Sequence, residues 1–179
     1  MTMRQKFRNR LTAVLSPFLN DKGIAAVEFA LILPVLLWLL VGLFELAIML
    51  HTMVVVEGAT GVAGRMVRTG QTQSTDDPIV SFKTALCNEL YSVIGCDKLT
   101  IDVRTAANFS GISFGLEFDD SGNAVNTQFS AGTASDIVVV TVAYNWTFFT
   151  PLVYVFLGDG GGPTKLIYST AVFRNEPFE

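Results

Sequence analysis

Histidine and cysteine are scarce in this chain of 179 residues, which has one of the first and two of the second. The lone His51 lies within an apolar stretch and has no serine or cysteine partner of evident register. Neither a zinc cluster nor a nucleophile with its base therefore takes shape. Basic residues are also few once the first 23 positions are passed: seven remain, against fifteen acidic side chains. So acidic a body argues against nucleic-acid binding, which requires a basic face. Gly58, Gly61 and Gly64 recur at three-residue spacing, but no strand precedes them and no lysine follows in register, so they are not a phosphate loop. Asp119-Asp120-Ser121-Gly122-Asn123 offers oxygen ligands without the spacing or terminal glutamate of a calcium loop, and reads as a solvated turn. No enzyme and no cofactor are expected.

What is present is apolar and unevenly distributed. Half the residues are hydrophobic and the mean hydropathy is +0.46, with the excess near the N-terminus. Residues 1–23 carry Arg4, Lys6, Arg8, Arg10 and Lys22 against the single Asp21. Phe7, Leu11 and Phe18 fall near helical spacing there, so this head is either a short interfacial helix or a plain basic leader that sets topology. The next charge is Glu28, and sixteen uncharged residues separate it from Glu45. Residues 24–44 would make a helix of about 31 Å, enough for a hydrocarbon core of ~30 Å. A secretory signal would have a shorter apolar core followed by a small-x-small cleavage site, and none is obvious. The basic head before the span and the acidic body after it place the head in the cytoplasm and the body outside. Pro34 removes one helical hydrogen bond, which predicts a bend. Glu45 is expected at the outer interface, hydrated. Glu28 is harder to place, since a carboxylate entering hydrocarbon needs a partner.

Beyond the span, Ala59, Val62, Ala63, Met66 and Val67 keep helical spacing, and Gly70 reads as a C-cap, so one helix is predicted over residues 24–70. The glycine stripe weakens that helix unless close packing compensates. Residues 71–77 read as a polar linker, and residues 78–179 as a small α+β domain with an antiparallel sheet. Asp77-Pro78 opens a helix bearing Ile79, Phe82, Leu86 and Leu90. Gly95 would be its natural cap, but Cys87 and Cys96 most simply form a disulfide in an oxidising compartment. Along a straight helix the two would stand about 13.5 Å apart, whereas a bridge needs their Cα atoms within about 7 Å. The helix is therefore expected to stop near Tyr91. Leu99, Ile101 and Val103 alternate with Thr100, Asp102 and Arg104, a strand with one wet face. Residues 112–118 alternate more weakly. Residues 137–143 are β-branched enough for a central strand, and residues 166–173 suit its neighbour. Residues 148–157 are apolar but too short to span a bilayer, and are expected to cover the sheet as a helix or loop.

The heptapeptide Gly23-Ile24-Ala25-Ala26-Val27-Glu28-Phe29, followed by Ala30-Leu31-Ile32-Leu33-Pro34, resembles prepilins, in particular the TadE-like minor pilins of the tight-adherence (Tad/Flp, type IVb) system. The resemblance continues through Phe44-Glu45, Glu57-Gly58-Ala59 and Gly64-Arg65, although alanine would be commoner than Gly64. It extends to the Cys87 and Cys96 pair with the strand after it, and to the ending Ala171-Val172-Phe173-Arg174. It implies a basic prepilin leader over residues 1–23, cut between Gly23 and Ile24 by a prepilin peptidase, for which this chain is substrate and not catalyst. It also implies a subunit-assembly role for Glu28 and Phe29, with Glu28 pairing with the N-terminal amine of a neighbouring subunit. The partners implied are the peptidase, other pilins and pseudopilins, the inner-membrane assembly platform and membrane lipid. The implied location is a bacterial inner membrane, crossed once, with a periplasmic C-terminal domain. An ordinary signal anchor, with Glu28 a mere interfacial charge and the domain a periplasmic binding or sensing module, is the competing reading.

Overall fold

A computed structural model describes residues 21–90, 94–112, 116–119 and 124–178. The basic leader up to residue 20, most of the 119–123 turn and Tyr91 lie outside the described residues. Contacts divide the chain into two units, Met1–Phe44 and Glu45–Glu179.

The described part of the first unit is helical throughout. It belongs to α1, Asp21–Arg68, which is unbroken at Pro34. Its side chains are almost all exposed, Leu31, Leu37, Trp38 and Leu43 among them. Among the described residues this is the one helix long and apolar enough to cross a membrane. With no β-branched run or internal cap to interrupt it, an uncharged stretch dominated by leucine holds helix readily.

The second unit begins at Glu45 and takes the rest of α1 as its central support. Val56, Ala59, Ala63 and Val67 line one side of that helix at spacings of three and four residues, and all are buried. Those spacings keep them on one stripe. They pack on Phe82, Leu86 and Leu90 and on Val103, Val138, Val140 and Val142 of the sheet. Gly64 lies on the same side; a Cβ there would stand 3.1 Å from the Phe173 ring, whereas Gly58 and Gly61 face open space. Close packing thus accounts for one glycine of the stripe within this chain.

The end of α1 follows its sequence signal. Gly70 has φ +79, the Gln71 amide donates to Met66 at 3.0 Å, and the Gly70 amide to Val67 at 3.2 Å. This is the two-bond Schellman closure that favours glycine. The Phe178 ring lies where a Cβ on Gly70 would be, so the position excludes a side chain twice over.

Helix α2, Pro78–Glu89, opens as predicted: the Asp77 carboxylate accepts from the Val80 amide, and Pro78 takes the first turn. Ile79 keeps the helical spacing yet is exposed, while Phe82, Leu86 and Leu90 are buried. The helix ends at Glu89 and Gly95 is not its cap. Cys87 and Cys96 are bonded, with Cα atoms 5.7 Å apart. The disulfide, not the glycine, sets the end.

The main sheet is antiparallel, with β1 (Leu99–Ala106), β4 (Ile137–Thr147) and β5 (Thr164–Arg174) in the order β1-β4-β5. Val103 lies opposite Val140, and Val140 opposite Ala171. Central β4 is buried from Val138 through Ala143, as its β-branched composition demands. Among the described residues of 112–118, Glu117–Phe118 is strand (β2), paired with Ala124–Val125 (β3). One expectation for β1 fails. Asp102 is on the side read as wet, yet it is buried. Its carboxylate pairs with Arg104 at 2.6 Å and accepts from the Gln128 amide at 2.9 Å, as a buried charge requires.

Candidate functional site

Helix α1 carries the chemistry that the sequence singles out, in two places. The first is its beginning. Gly23 and Ile24 lie in the first turn, where the leading amides of any helix have no acceptor within it. Glycine weakens that turn further, by roughly 1 kcal/mol relative to alanine. Ile24 is exposed, and so are Glu28 and Phe29. Glu28 follows Ile24 by four residues, a rise of about 6 Å that puts both on nearly the same face. Among the described residues Glu28 has no hydrogen-bond or ion-pair partner.

The second place is Glu45, and here the sequence reading is corrected. Glu45 is not hydrated at an interface; its side chain is fully buried. One carboxylate oxygen accepts from the Phe149 amide at 2.6 Å and the other from the Thr150 amide at 3.0 Å. These amides open helix α3, Pro151–Leu157, whose N-cap Thr150 makes no side-chain capping bond. A carboxylate suits such a place, since the unpaired amides and the helix dipole both favour negative charge. Glu45 therefore acts as a cap supplied from 105 residues away. Around it Met49, Phe148, Val153 and Ile167 form a second apolar cluster, which keeps water from the bonds. Thr150-Pro151 is a legible helix start, but no local signal names its distant acceptor.

At the other end of this unit the Arg68 guanidinium pairs with Glu176 at 2.8 Å, and the Glu176 amide donates to the Arg68 carbonyl at 2.8 Å. Beside them is a groove of about 650 Å³ lined by Gly61, Gly64, Arg65, Phe173 and Glu176.

Two aspartates near the sheet ends are shifted. The Thr133 amide and hydroxyl hold the Asp136 carboxyl below its ordinary value. Burial pushes the Asp159 carboxyl up, but the Leu166 amide and the Lys165 ammonium outweigh it and hold it below the ordinary value. Both fix loops. Among the described residues no three His, Cys, Asp or Glu side chains gather as metal ligands would.

The structure thus brings Cys87 and Cys96 together, and leaves Ile24, Glu28 and Phe29 exposed on the first turns of α1, with Gly23 half-buried beside them. Comparison with known proteins gives one match: residues 23–65 fit the family model described as TadE-like protein. No curated protein and no solved structure matches the chain. The fit starts at the very glycine read as the cleavage position and ends at Arg65, and over that segment the chain is similar to this family.

Proposed function

We propose that this chain is a minor pilin, or pseudopilin, that assists assembly of a Tad/Flp-type pilus used in surface adherence. It is made with a basic leader over residues 1–23, anchored in the bacterial inner membrane by residues 24–44, and exposes its α+β domain to the periplasm. A prepilin peptidase cuts between Gly23 and Ile24. Its further partners are other pilins and pseudopilins, the assembly platform and membrane lipid. Its role is structural, not enzymatic.

The observation that carries this reading is the TadE-like match beginning at Gly23, on a helix where Glu28 is exposed and has no partner among the described residues. An exposed carboxylate on an otherwise uncharged apolar face needs a cation, and cleavage creates one at the Ile24 amine. The carboxylate comes four residues after the amine, so neighbouring helices staggered by about 6 Å would bring the amine of one level with the Glu28 of the next. Phe29 would lie in the same contact. The first-turn position of Gly23 supports access by a peptidase, because little helix has to be unwound.

N-terminal sequencing of the protein from cells with an active prepilin peptidase tests this. The expected mature terminus is Ile24, and Gly23→Leu should abolish it. A protein that still begins at Met1 in such cells overturns the reading. Glu28→Ala is expected to leave cleavage intact and to impair piliation; normal pili with that change would remove the role given to Glu28.

A further inference from the structure

Helix α3 is built the wrong way round for a soluble domain. Of its seven residues only Val153 is buried, whereas Leu152, Val155, Phe156 and Leu157 are exposed. Phe156 is 77% exposed, and Phe149, just before the helix, 63%. No residue from 148 to 158 is charged. Single exposed apolar side chains are ordinary, but a contiguous set with charges only at its rim marks a surface meant to be covered. Here the rim is Asp159, paired with Lys165 at 2.6 Å.

The cover is indicated by where this face is tied. The Phe149 and Thr150 amides are bound by Glu45, and Glu45 directly follows the sixteen uncharged residues that end at Phe44. A span over residues 24–44 is about 31 Å long, so Glu45 falls at the boundary of a ~30 Å hydrocarbon core. Exposed apolar side chains also continue along α1 past Glu45, at Ile48 and Leu50. They lie within about 9 Å beyond Phe44 by helical rise, roughly the depth of the headgroup region. Within the second unit, the α3 end is the one bound to Glu45. Strand β4 runs from Ile137, whose partner Arg174 lies two residues before the Arg68-bound Glu176, to Thr147, two residues before Phe149.

We propose that Phe149 and helix α3 form a lipid-binding foot, which inserts its apolar side chains into the leaflet at the C-terminal end of the span. The inference rests on the membrane-anchored reading of α1 and is independent of the pilus. Phe149, Val155 and Phe156 sit among the upper acyl chains, while Glu45, shielded behind them, fixes the depth through its two amide bonds. A short uncharged helix lying in the interface needs no long amphipathic pattern, because the transmembrane segment already supplies the anchoring.

The test uses the full chain, disulfide intact, in nanodiscs of phosphatidylethanolamine and phosphatidylglycerol at one copy per disc. A bimane fluorophore is placed singly by Phe156→Cys, with Val155→Cys reporting the same face should the first variant fold poorly. Trp38→Cys is the control within the span and Ala107→Cys the control at the far end of the domain. A lipid carrying a nitroxide near the headgroup end of its acyl chain should quench Phe156→Cys about twofold or more, the depth expected of an interfacial helix. Ala107→Cys should be unaffected. Quenching at Trp38 without quenching at Phe156 or Val155 overturns the foot and leaves the anchor standing. Absence of quenching at Trp38 overturns the anchor and the foot together. Protection of Phe156 from an aqueous quencher without quenching by lipid would mean that protein covers the face, and also overturns the proposal.

Discussion

Two glutamates stand on one helix, seventeen residues apart, and their surroundings are opposite. Glu45 is buried with both oxygens bonded to backbone amides, whereas Glu28 is exposed and has no partner among the described residues. The same side chain in equally apolar sequence is settled within the chain in one case and left open in the other. The division of α1 explains why. From Glu45 on, the helix has a domain folded on it, which brings amides to the carboxylate. Over residues 24–44 most side chains are exposed, and Glu28 is among them.

The sharpest way to break this comparison is to truncate both. Glu45→Ala leaves one buried and one part-buried amide without an acceptor and is expected to destabilise the domain by about 3 kcal/mol. Glu28→Ala should change stability by less than about 0.5 kcal/mol. Thermal unfolding of the oxidised full chain in detergent measures both, and equal losses would erase the distinction. Next in size is the double change Cys87→Ser with Cys96→Ser, expected to remove about 2–3 kcal/mol through loop entropy. It should leave the proposed cleavage at Gly23 untouched, since it acts on the second unit alone; loss of processing in the folded variant would mean that the two regions are coupled.

How far the sequence foretells this molecule follows the same line. Elements whose cause is local were legible: the uncharged run of α1, the Gly70 end, the Asp77-Pro78 start and the alternation of Leu99, Ile101 and Val103. The disulfide was legible from two nearby cysteines in a region read as oxidising, and helix geometry then required the helix to stop before Gly95. Glu45 was misread because its partners, Phe149 and Thr150, are local to one another but remote from it in sequence. Asp102 was misread as solvated for a related reason, since the Gln128 amide that helps to bury it comes from a loop with no pairing pattern. Ile79 shows the limit of periodicity, which gives a face but not how far along that face the core extends.

The glycine stripe sharpens the comparison further. Gly61→Ala meets nothing within 4 Å and should stabilise the isolated chain by up to about 1 kcal/mol through helix propensity. Gly64→Ala should lose most of that gain, because its Cβ would stand 3.1 Å from the Phe173 ring. Equal gains in denaturant titrations would show that Gly64 is not held close to Phe173. The smallest effect is expected from pH. Asp159 has its folded pKa below the ordinary 3.8, so its stabilising effect is full above that value and is lost as pH falls through the lower, folded one. Amide exchange at Leu166, whose N–H donates to Asp159 at 2.8 Å, should lose protection over that acid range. In Asp159→Asn, protection should be weaker throughout and no longer vary as that carboxylate titrates.

The part of α1 inside the domain is fastened at both ends, by Glu45 to the start of α3 and by Arg68 to Glu176 beyond β5. Between those fastenings its buried stripe lies along the sheet. A force pulling on the helix from the Phe44 side therefore meets Glu45 first and the Arg68 pair last, with the whole stripe between them loaded in shear. Such a joint resists sliding over its full length, where one fastened at a single end would peel turn by turn. The buried carboxylate is, in mechanical terms, the leading rivet of the seam between stem and domain.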